Sequence, residues 1–129
     1  MVTAKLQQNE ISNWIIKKLG DVSDIKIGGT PARKISSYWD TQFETNNYWV
    51  SIKDLNKKYI SQTNERISDE GVNNSNVKLL PPNTVIMSFK LSIGNIGITS
   101  VPLYTNEAIA GFIPKDNYTF DEHFLYYAL

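Results

Sequence analysis

Short apolar runs, separated by glycine, proline or polar residues, make up most of the hydrophobic pattern of this chain. Runs of this length that are rich in β-branched and aromatic residues are typical of strands. Residues 84–89 give the strongest such signal and predict a buried strand. The other predicted strands are residues 14–16, 48–52, 59–67, 96–101 and 108–113.

Helical patterns are fewer and shorter. Residues 19–25 predict a short helical turn with Asp21 near its start. Ser68 precedes two acidic residues and predicts the N-cap of a second short helix. Residues 121–129 predict a terminal helix that Asp121 can cap, because their apolar positions repeat at helical spacing.

Glycine and proline mark the connections. Gly-Gly-Thr-Pro at residues 28–31 predicts a backbone break in which the paired glycines can adopt positive φ. Residues 33–47 have no sustained period and predict a long surface loop, and residues 79–83 predict a turn through two prolines. The pattern predicts an α+β fold: one compact domain of short, mostly antiparallel or mixed strands with a few short helices.

Composition is typical of a soluble globular protein. Hydrophobic residues make up 41% and charged residues 20% of the 129, and no apolar run approaches the ~20 residues that span a bilayer. The first ten residues are polar and lack the apolar centre of a signal peptide. The chain has no cysteine for disulfides or thiolate metal sites. These features predict a cytoplasmic protein without a membrane segment.

The charges balance overall but not along the chain. Thirteen basic and thirteen acidic residues cancel, whereas non-specific DNA binders are usually strongly basic. Residues 26–58 hold six basic and three acidic residues, and residues 59–129 hold four basic and seven acidic residues. A basic face for phosphate groups would fit this distribution, but two ordinary solvated surfaces are the simpler interpretation of charge alone.

The sequence lacks the motifs of common catalytic sites. It has no phosphate-binding loop ending in Lys-Ser or Lys-Thr, and no Asn-Pro-Pro-Tyr or Asp-Pro-Pro-Tyr motif of an amino-methyltransferase. It also lacks the metal-binding motif of a nuclease. The one histidine, His123, cannot form a common structural zinc site without cysteines, so a surface or packing role is expected. The sequence predicts a binding module that is not an enzyme and needs no cofactor or metal.

Three polar segments are candidates for a binding surface. They contain Thr30, Arg33, Lys34, Ser36, Ser37 and Tyr38; Ser88, Lys90, Ser92 and Asn95; and Thr105, Asn106 and Glu107. Arg and Lys can neutralise phosphates, hydroxyls can donate to them, and Arg can contact guanine through two hydrogen bonds. The alternative for the first segment is a solvated loop anchored by its aromatic residues. The alternative for the second is a tight hairpin with one exposed lysine.

Seven short sequence motifs follow one another along the chain and include residues of these three segments. They read Ile-Lys-Ile-Gly-Gly-Thr-Pro (25–31), Ser-Tyr-Trp-Asp (37–40), Tyr-Trp-Val-Ser-Ile-Lys-Asp-Leu (48–55), Ser-Asp-Glu-Gly-Val-Asn-Asn-Ser (68–75), Lys-Leu-Leu-Pro-Pro-Asn-Thr-Val-Ile-Met-Ser (78–88), Ser-Ile-Gly-Asn-Ile-Gly-Ile (92–98) and Thr-Asn-Glu-Ala-Ile-Ala-Gly (105–111). In order and spacing they resemble the target recognition domain of a type I restriction–modification specificity subunit. Such a domain reads one half of a split DNA target.

The resemblance implies that the polar segments form long DNA-facing loops. The implied DNA-binding residues are Thr30, Arg33, Lys34, Ser36, Tyr38, Lys53, Ser88, Lys90, Ser92, Asn95, Thr105 and Asn106. For Trp39 we favour a role in anchoring the first loop to the core. The family commonly has Thr-Asn-Gln where this chain has Glu107, whose carboxylate can only accept hydrogen bonds. Glu107 could accept from cytosine N4 or from a backbone amide inside the fold, and we favour the internal role.

The resemblance also implies a domain organisation and partners. It divides the chain into a polar leader (1–10), a target recognition domain (11–120) and the start of a spacer-like helix (121–129). The implied partners are double-stranded DNA, the modification (methyltransferase) subunit and, through it, the restriction subunit. A second recognition domain or a homodimer would supply the other half-site. One recognition domain without long spacer helices suggests a truncated or excised domain. Its alternative function is that of a protein-interaction or inhibitory module without DNA recognition.

Overall fold

Two β-sheets organise the chain in a computed structural model, which describes residues 23–90 and 95–115. The strands in these ranges are β1 (Ser23–Ile27), β2 (Tyr48–Val50), β3 (Tyr59–Ile60), β4 (Glu65–Arg66), β5 (Val85–Ser88), β6 (Ile96–Thr99), β7 (Tyr104–Thr105) and β8 (Ile109–Pro114). One sheet has the order β1-β8-β5-β6-β3 and the other has the order β4-β2-β7.

Strand pairing is mixed in both sheets. β3 runs parallel to β6, and β2 runs parallel to β7. The remaining pairs, β1–β8, β5–β8, β5–β6 and β2–β4, are antiparallel. The helical elements of the described residues are α1 (Asp69–Asn73) and two 3-10 turns, Ser36–Tyr38 and Ile52–Asp54. This arrangement confirms the α+β fold expected from the sequence.

The predicted buried strand at residues 84–89 is confirmed as β5, all of whose residues are buried. Val85 and Met87 pack with Phe112 on one face of the sheet. Ile86 packs on the other face, in a cluster that contains Val50 of the second sheet. Because successive side chains of a strand point to opposite faces, both faces of β5 are covered and the second face joins the two sheets.

Ser68 caps α1, as the sequence predicted. Its side-chain oxygen accepts a hydrogen bond from the amide of Gly71 at 3.0 Å, and its hydroxyl donates to the carbonyl oxygen of Ser37 at 2.5 Å. A Cβ atom at Gly71 would overlap the carbonyl oxygen of Tyr38, so the helix packs directly against the Ser36–Tyr38 turn. The cap therefore also fastens the loop that contains the first polar segment.

Two of the predicted secondary-structure elements were wrong. Residues 23–25, expected in a helical turn, belong to β1, whose pairing with β8 outweighs the local helical preference. Residues 59–67, expected in one strand, form β3 and β4 in different sheets. The amide of Asn64 donates a hydrogen bond to the carboxylate of Asp54 at 3.0 Å. This bond holds the turn between β3 and β4.

Several predicted features lie outside the described residues. They are the polar leader, the strand at 14–16, the first part of the turn at 19–25, Ser92, and the terminal helix at 121–129 with His123. Among the described residues, no helix is both long enough and apolar enough to cross a membrane.

Candidate nucleic-acid interface

The three polar segments meet beside the start of β8. The amide of Gly29 donates to the carbonyl oxygen of Thr105 at 3.0 Å. The amide of Phe89 donates to the carbonyl oxygen of Ala108, also at 3.0 Å. The fold thus joins residues that are distant in sequence into one surface. We call it the convergent surface and define it as residues 28–34, 89–90 and 105–107.

Two glycines allow the first loop to approach its neighbours. A Cβ atom at Gly28 would overlap the carbonyl oxygen and hydroxyl of Thr105, and one at Gly29 would overlap the side chain of Asn76. Neither glycine has the positive φ that the sequence suggested. Close packing of the backbone, not a left-handed conformation, explains why glycine stands at both positions.

Two tryptophans fix the backbone of the same loop. The indole N–H of Trp49, which is buried, donates to the carbonyl oxygen of Gly29 at 2.9 Å. The indole N–H of Trp39 donates to the carbonyl oxygen of Ala32 at 3.3 Å. The two rings meet edge to face with their centroids 5.1 Å apart. Trp39 therefore anchors the loop, as we expected.

Glu65 and Trp39 hold the guanidinium of Arg33 in place. The two terminal nitrogens of Arg33 donate to the two carboxylate oxygens of Glu65 at 2.7 and 3.1 Å. The central carbon of the guanidinium lies 4.0 Å from the centroid of the Trp39 ring. The hydrogen bond to Glu65 raises the pKa of Arg33 above its ordinary value; burial opposes this, and the charges of Glu65 and Glu107 add to it. The side chain remains 55% exposed, so a partner can reach it.

Three of the predicted DNA-binding residues are lysines. Lys34 is exposed and makes no hydrogen bond or ion pair within residues 23–90 and 95–115. Lys90 is exposed and close enough to Glu107 to influence its ionisation. Lys53 lies on the 3-10 turn that follows β2, and the turn of Asn106 follows β7. Because these two strands are parallel, both turns leave the sheet at the same edge.

Glu107 makes an internal hydrogen bond, as we favoured from the sequence, but its main partner is a side-chain hydroxyl and not a backbone amide. Its carboxylate accepts a hydrogen bond from the hydroxyl of Thr30. This bond lowers the pKa of Glu107, as does the bond to its own amide; burial opposes them, and the charges of Lys90 and Arg33 add to the decrease. Glu107 is therefore ionised at neutral pH and ties the first loop to the turn before β8.

Asp40 shapes the rest of the first loop from a buried position. Its carboxylate accepts from the amide of Glu44 at 3.0 Å, and from the amide and hydroxyl of Thr45 at 2.8 and 2.7 Å. Burial would raise the pKa of Asp40, but these hydrogen bonds and the charge of Arg66 outweigh it and lower the pKa. The ionised carboxylate thus closes residues 40–45 into a fixed turn.

The remaining predicted contacts differ in accessibility. Ser88 and Thr105 are buried, so their side chains do not face a partner in this structure. Ser36 is exposed, whereas Tyr38, Asn95 and Asn106 are half-buried. The side-chain oxygen of Asn106 accepts from the amide of Ala108 at 2.9 Å, which shapes the turn before β8. The prediction for Ser92 falls outside the described residues.

Sequence reasoning missed the partners that position Arg33. Glu65 lies 32 residues away, on β4, and no local pattern marks it. Trp49 was expected in a strand but not as a donor to the loop. Both contacts depend on tertiary structure. Correlated substitutions at the contacting positions, seen in an alignment of relatives, would have indicated them.

The fold and this surface define an α+β binding domain in which exposed loops carry the candidate functional groups. Within the described residues, no three His, Cys, Asp or Glu side chains gather as a metal site requires. The family described as the type I restriction modification DNA specificity domain matches residues 11–129. The chain belongs to this family.

Two relatives are specificity subunits of type I restriction enzymes. The MjaIX subunit of Methanocaldococcus jannaschii is 30% identical over 118 residues, which cover 89% of this chain and 26% of that protein. The HindI subunit of Haemophilus influenzae is 29% identical over 117 residues, which cover 90% of this chain and 24% of that protein. The chain therefore spans about a quarter of the length of these relatives.

A solved structure has the same fold. The HsdS subunit from Thermoanaerobacter tengcongensis matches 84% of this chain and 25% of its own, with a TM-score of 0.60 and 20% identity.

Proposed function

We propose that this chain reads one half of a split DNA target as a recognition domain of a type I restriction–modification specificity subunit. The convergent surface carries the proposal, because it gathers the polar segments of a chain that belongs to a DNA specificity family. Lys34 and Lys90 would contact phosphates, and Arg33 would face a base edge. Lys53, at the neighbouring sheet edge, would extend the phosphate contacts.

Binding by this chain alone should be weak. Its net charge is zero, and Glu107 places a negative charge within the convergent surface. A specificity subunit for a split target also needs a second reading unit, from another domain or from a second copy. One unit supplies only part of the base contacts, each of which is worth about 1–3 kcal/mol.

Catalysis would belong to partner subunits. In the proposed complex the modification subunit transfers the methyl group and the restriction subunit cuts the DNA, while this chain contributes recognition without a cofactor. The complex would act in the cytoplasm, where its DNA substrate lies. The recognition role of this chain is supported by its relatives, which are specificity subunits of type I restriction enzymes.

A salt titration of duplex binding tests the proposal. Fluorescence anisotropy of a labelled random-sequence duplex should show a Kd of about 1–100 µM that rises steeply with salt, since bound lysines release counterions from phosphates. A protein-interaction module without DNA recognition would leave the anisotropy unchanged at every salt concentration, and that result would contradict the proposal.

A further inference from the structure

Within the proposed DNA-reading function, on which this inference rests, the adjacent residues Arg33 and Lys34 have different ligands. We infer that Arg33 reads the major-groove edge of a guanine, that Glu65 is its positioning residue, and that Lys34 contacts phosphate. The evidence is the unequal surroundings of the two side chains.

The hydrogen-bonding capacity of Arg33 leaves room for a base. A guanidinium has five N–H groups, and Glu65 takes one from each terminal nitrogen of Arg33. The other three have no acceptor among residues 23–90 and 95–115, and the side chain is 55% exposed. The N–H of Nε and that of the neighbouring terminal nitrogen point the same way, with the spacing needed by O6 and N7 of guanine.

The surroundings of Arg33 also fix its orientation. The carboxylate of Glu65 sets the plane of the guanidinium, and the Trp39 ring lies 4.0 Å from its central carbon. Trp49 and Trp39 hold the loop backbone through the carbonyl oxygens of Gly29 and Ala32. A long flexible side chain is thus ordered before it meets DNA, which reduces the entropy lost on binding.

Charge separates the two residues further. The carboxylate of Glu65 lies 2.7 Å from Arg33 and offsets its positive charge, and Glu107 adds a second negative charge nearby. Arg33 is therefore poorly suited to replace a counterion at a phosphate. Lys34 has no ion pair within the described residues and is well suited to do so.

Selection of duplexes from a random pool tests this assignment. The wild-type chain at low salt should enrich a motif that contains a guanine. Glu65→Gln removes the charge that orients the guanidinium, and Arg33→Met keeps a long side chain but removes all of its N–H donors. Both variants should still bind duplex while their preference for that guanine falls about tenfold. Glu44→Gln makes the same change at an exposed glutamate of the loop that contains Arg33, and it should keep the preference.

Two further measurements separate a base contact from a purely structural ion pair. Replacing the guanine by 7-deazaguanine removes the N7 acceptor, so it should weaken wild-type binding about tenfold and leave Arg33→Met almost unaffected. Lys34→Ala should weaken binding to all duplexes alike and keep the guanine preference.

Three results would overturn the inference. A wild-type motif without a guanine would reject the inference and leave DNA recognition standing. A guanine preference that Glu65→Gln and Arg33→Met both retain would have the same meaning. A wild-type chain that binds no duplex at any salt concentration would reject the proposed function as well.

Discussion

At the scale of single residues, the backbone contact between Gly28 and Thr105 leaves no space for a side chain. Gly28→Ala would place its methyl group against a carbonyl oxygen that cannot move without displacing β7, so we expect a loss of about 3 kcal/mol of unfolding free energy. Gly29→Ala is the matched control, because it meets the rotatable amide of Asn76 and should cost only about 1 kcal/mol. Urea denaturation measures both. Equal midpoints for the two variants would show that the loop does not pack against β7 as described.

Asp40 gives the stability a specific pH dependence. Its pKa is lower in the folded than in the unfolded chain, so its contribution is present above the unfolded-state pKa and disappears as the pH falls through the folded-state value. Asp40→Asn should cost about 2 kcal/mol at neutral pH, the range for hydrogen bonds to a charged group. The difference between wild type and variant should shrink below roughly pH 4. Urea denaturation at neutral pH and again below roughly pH 4 measures this difference in unfolding free energy. A difference that stays constant would contradict the ionised carboxylate.

At the scale of elements, the sequence best predicted those elements that depend on the composition of one short segment. The buried run at residues 84–89 and the Ser68 cap depend on local composition, and both are confirmed. β7 was missed because two residues carry no pattern, and it exists through parallel pairing with β2. β1 was mistaken for a helical turn although its polar and apolar residues alternate; its partner, β8, lies more than eighty residues later.

The cap of α1 offers a prediction at this scale. Ser68→Ala removes both the bond from the amide of Gly71 and the bond to the carbonyl oxygen of Ser37. We expect a loss of about 1–2 kcal/mol of unfolding free energy, as for other helix caps. Ser61→Ala, at an exposed site, is the control and should be neutral. A neutral Ser68→Ala in thermal denaturation would mean that α1 does not fasten the loop.

The turn before β8 should restrain DNA binding electrostatically. Glu107→Gln removes a negative charge from the convergent surface and keeps an oxygen that can accept from Thr30. We expect duplex affinity at low salt to rise about threefold, which is the effect of one charge several ångströms from phosphate. Asp24→Asn changes the net charge equally, but on β1 opposite Ile113 near the far end of β8. If Asp24→Asn raises the affinity as much as Glu107→Gln, only net charge matters and the location of the surface is wrong.

At the scale of the whole molecule, sequence identified the polar segments but not how they come together. Each segment was identified by its own composition and by the order of the seven sequence motifs. The ion pair of Arg33 with Glu65 and the bond of Thr30 to Glu107 form only when the two sheets assemble. Ser88 and Thr105 are inaccessible for the same reason, because their strands β5 and β7 are buried in the assembled fold.

The location of the proposed DNA-binding surface is tested most directly by comparing lysines at the two ends of β8. Lys34 and Lys90 belong to the convergent surface near its start, whereas Lys115 lies six residues from Ile109, roughly 20 Å along the strand. The measurement is the slope of the logarithm of duplex affinity against the logarithm of salt concentration. In the double variant Lys34→Ala/Lys90→Ala the slope should become shallower by about two units, one for each lost phosphate contact. Lys115→Ala should leave it unchanged. An unchanged slope in the double variant, or an equal loss in Lys115→Ala, would contradict DNA binding by the convergent surface.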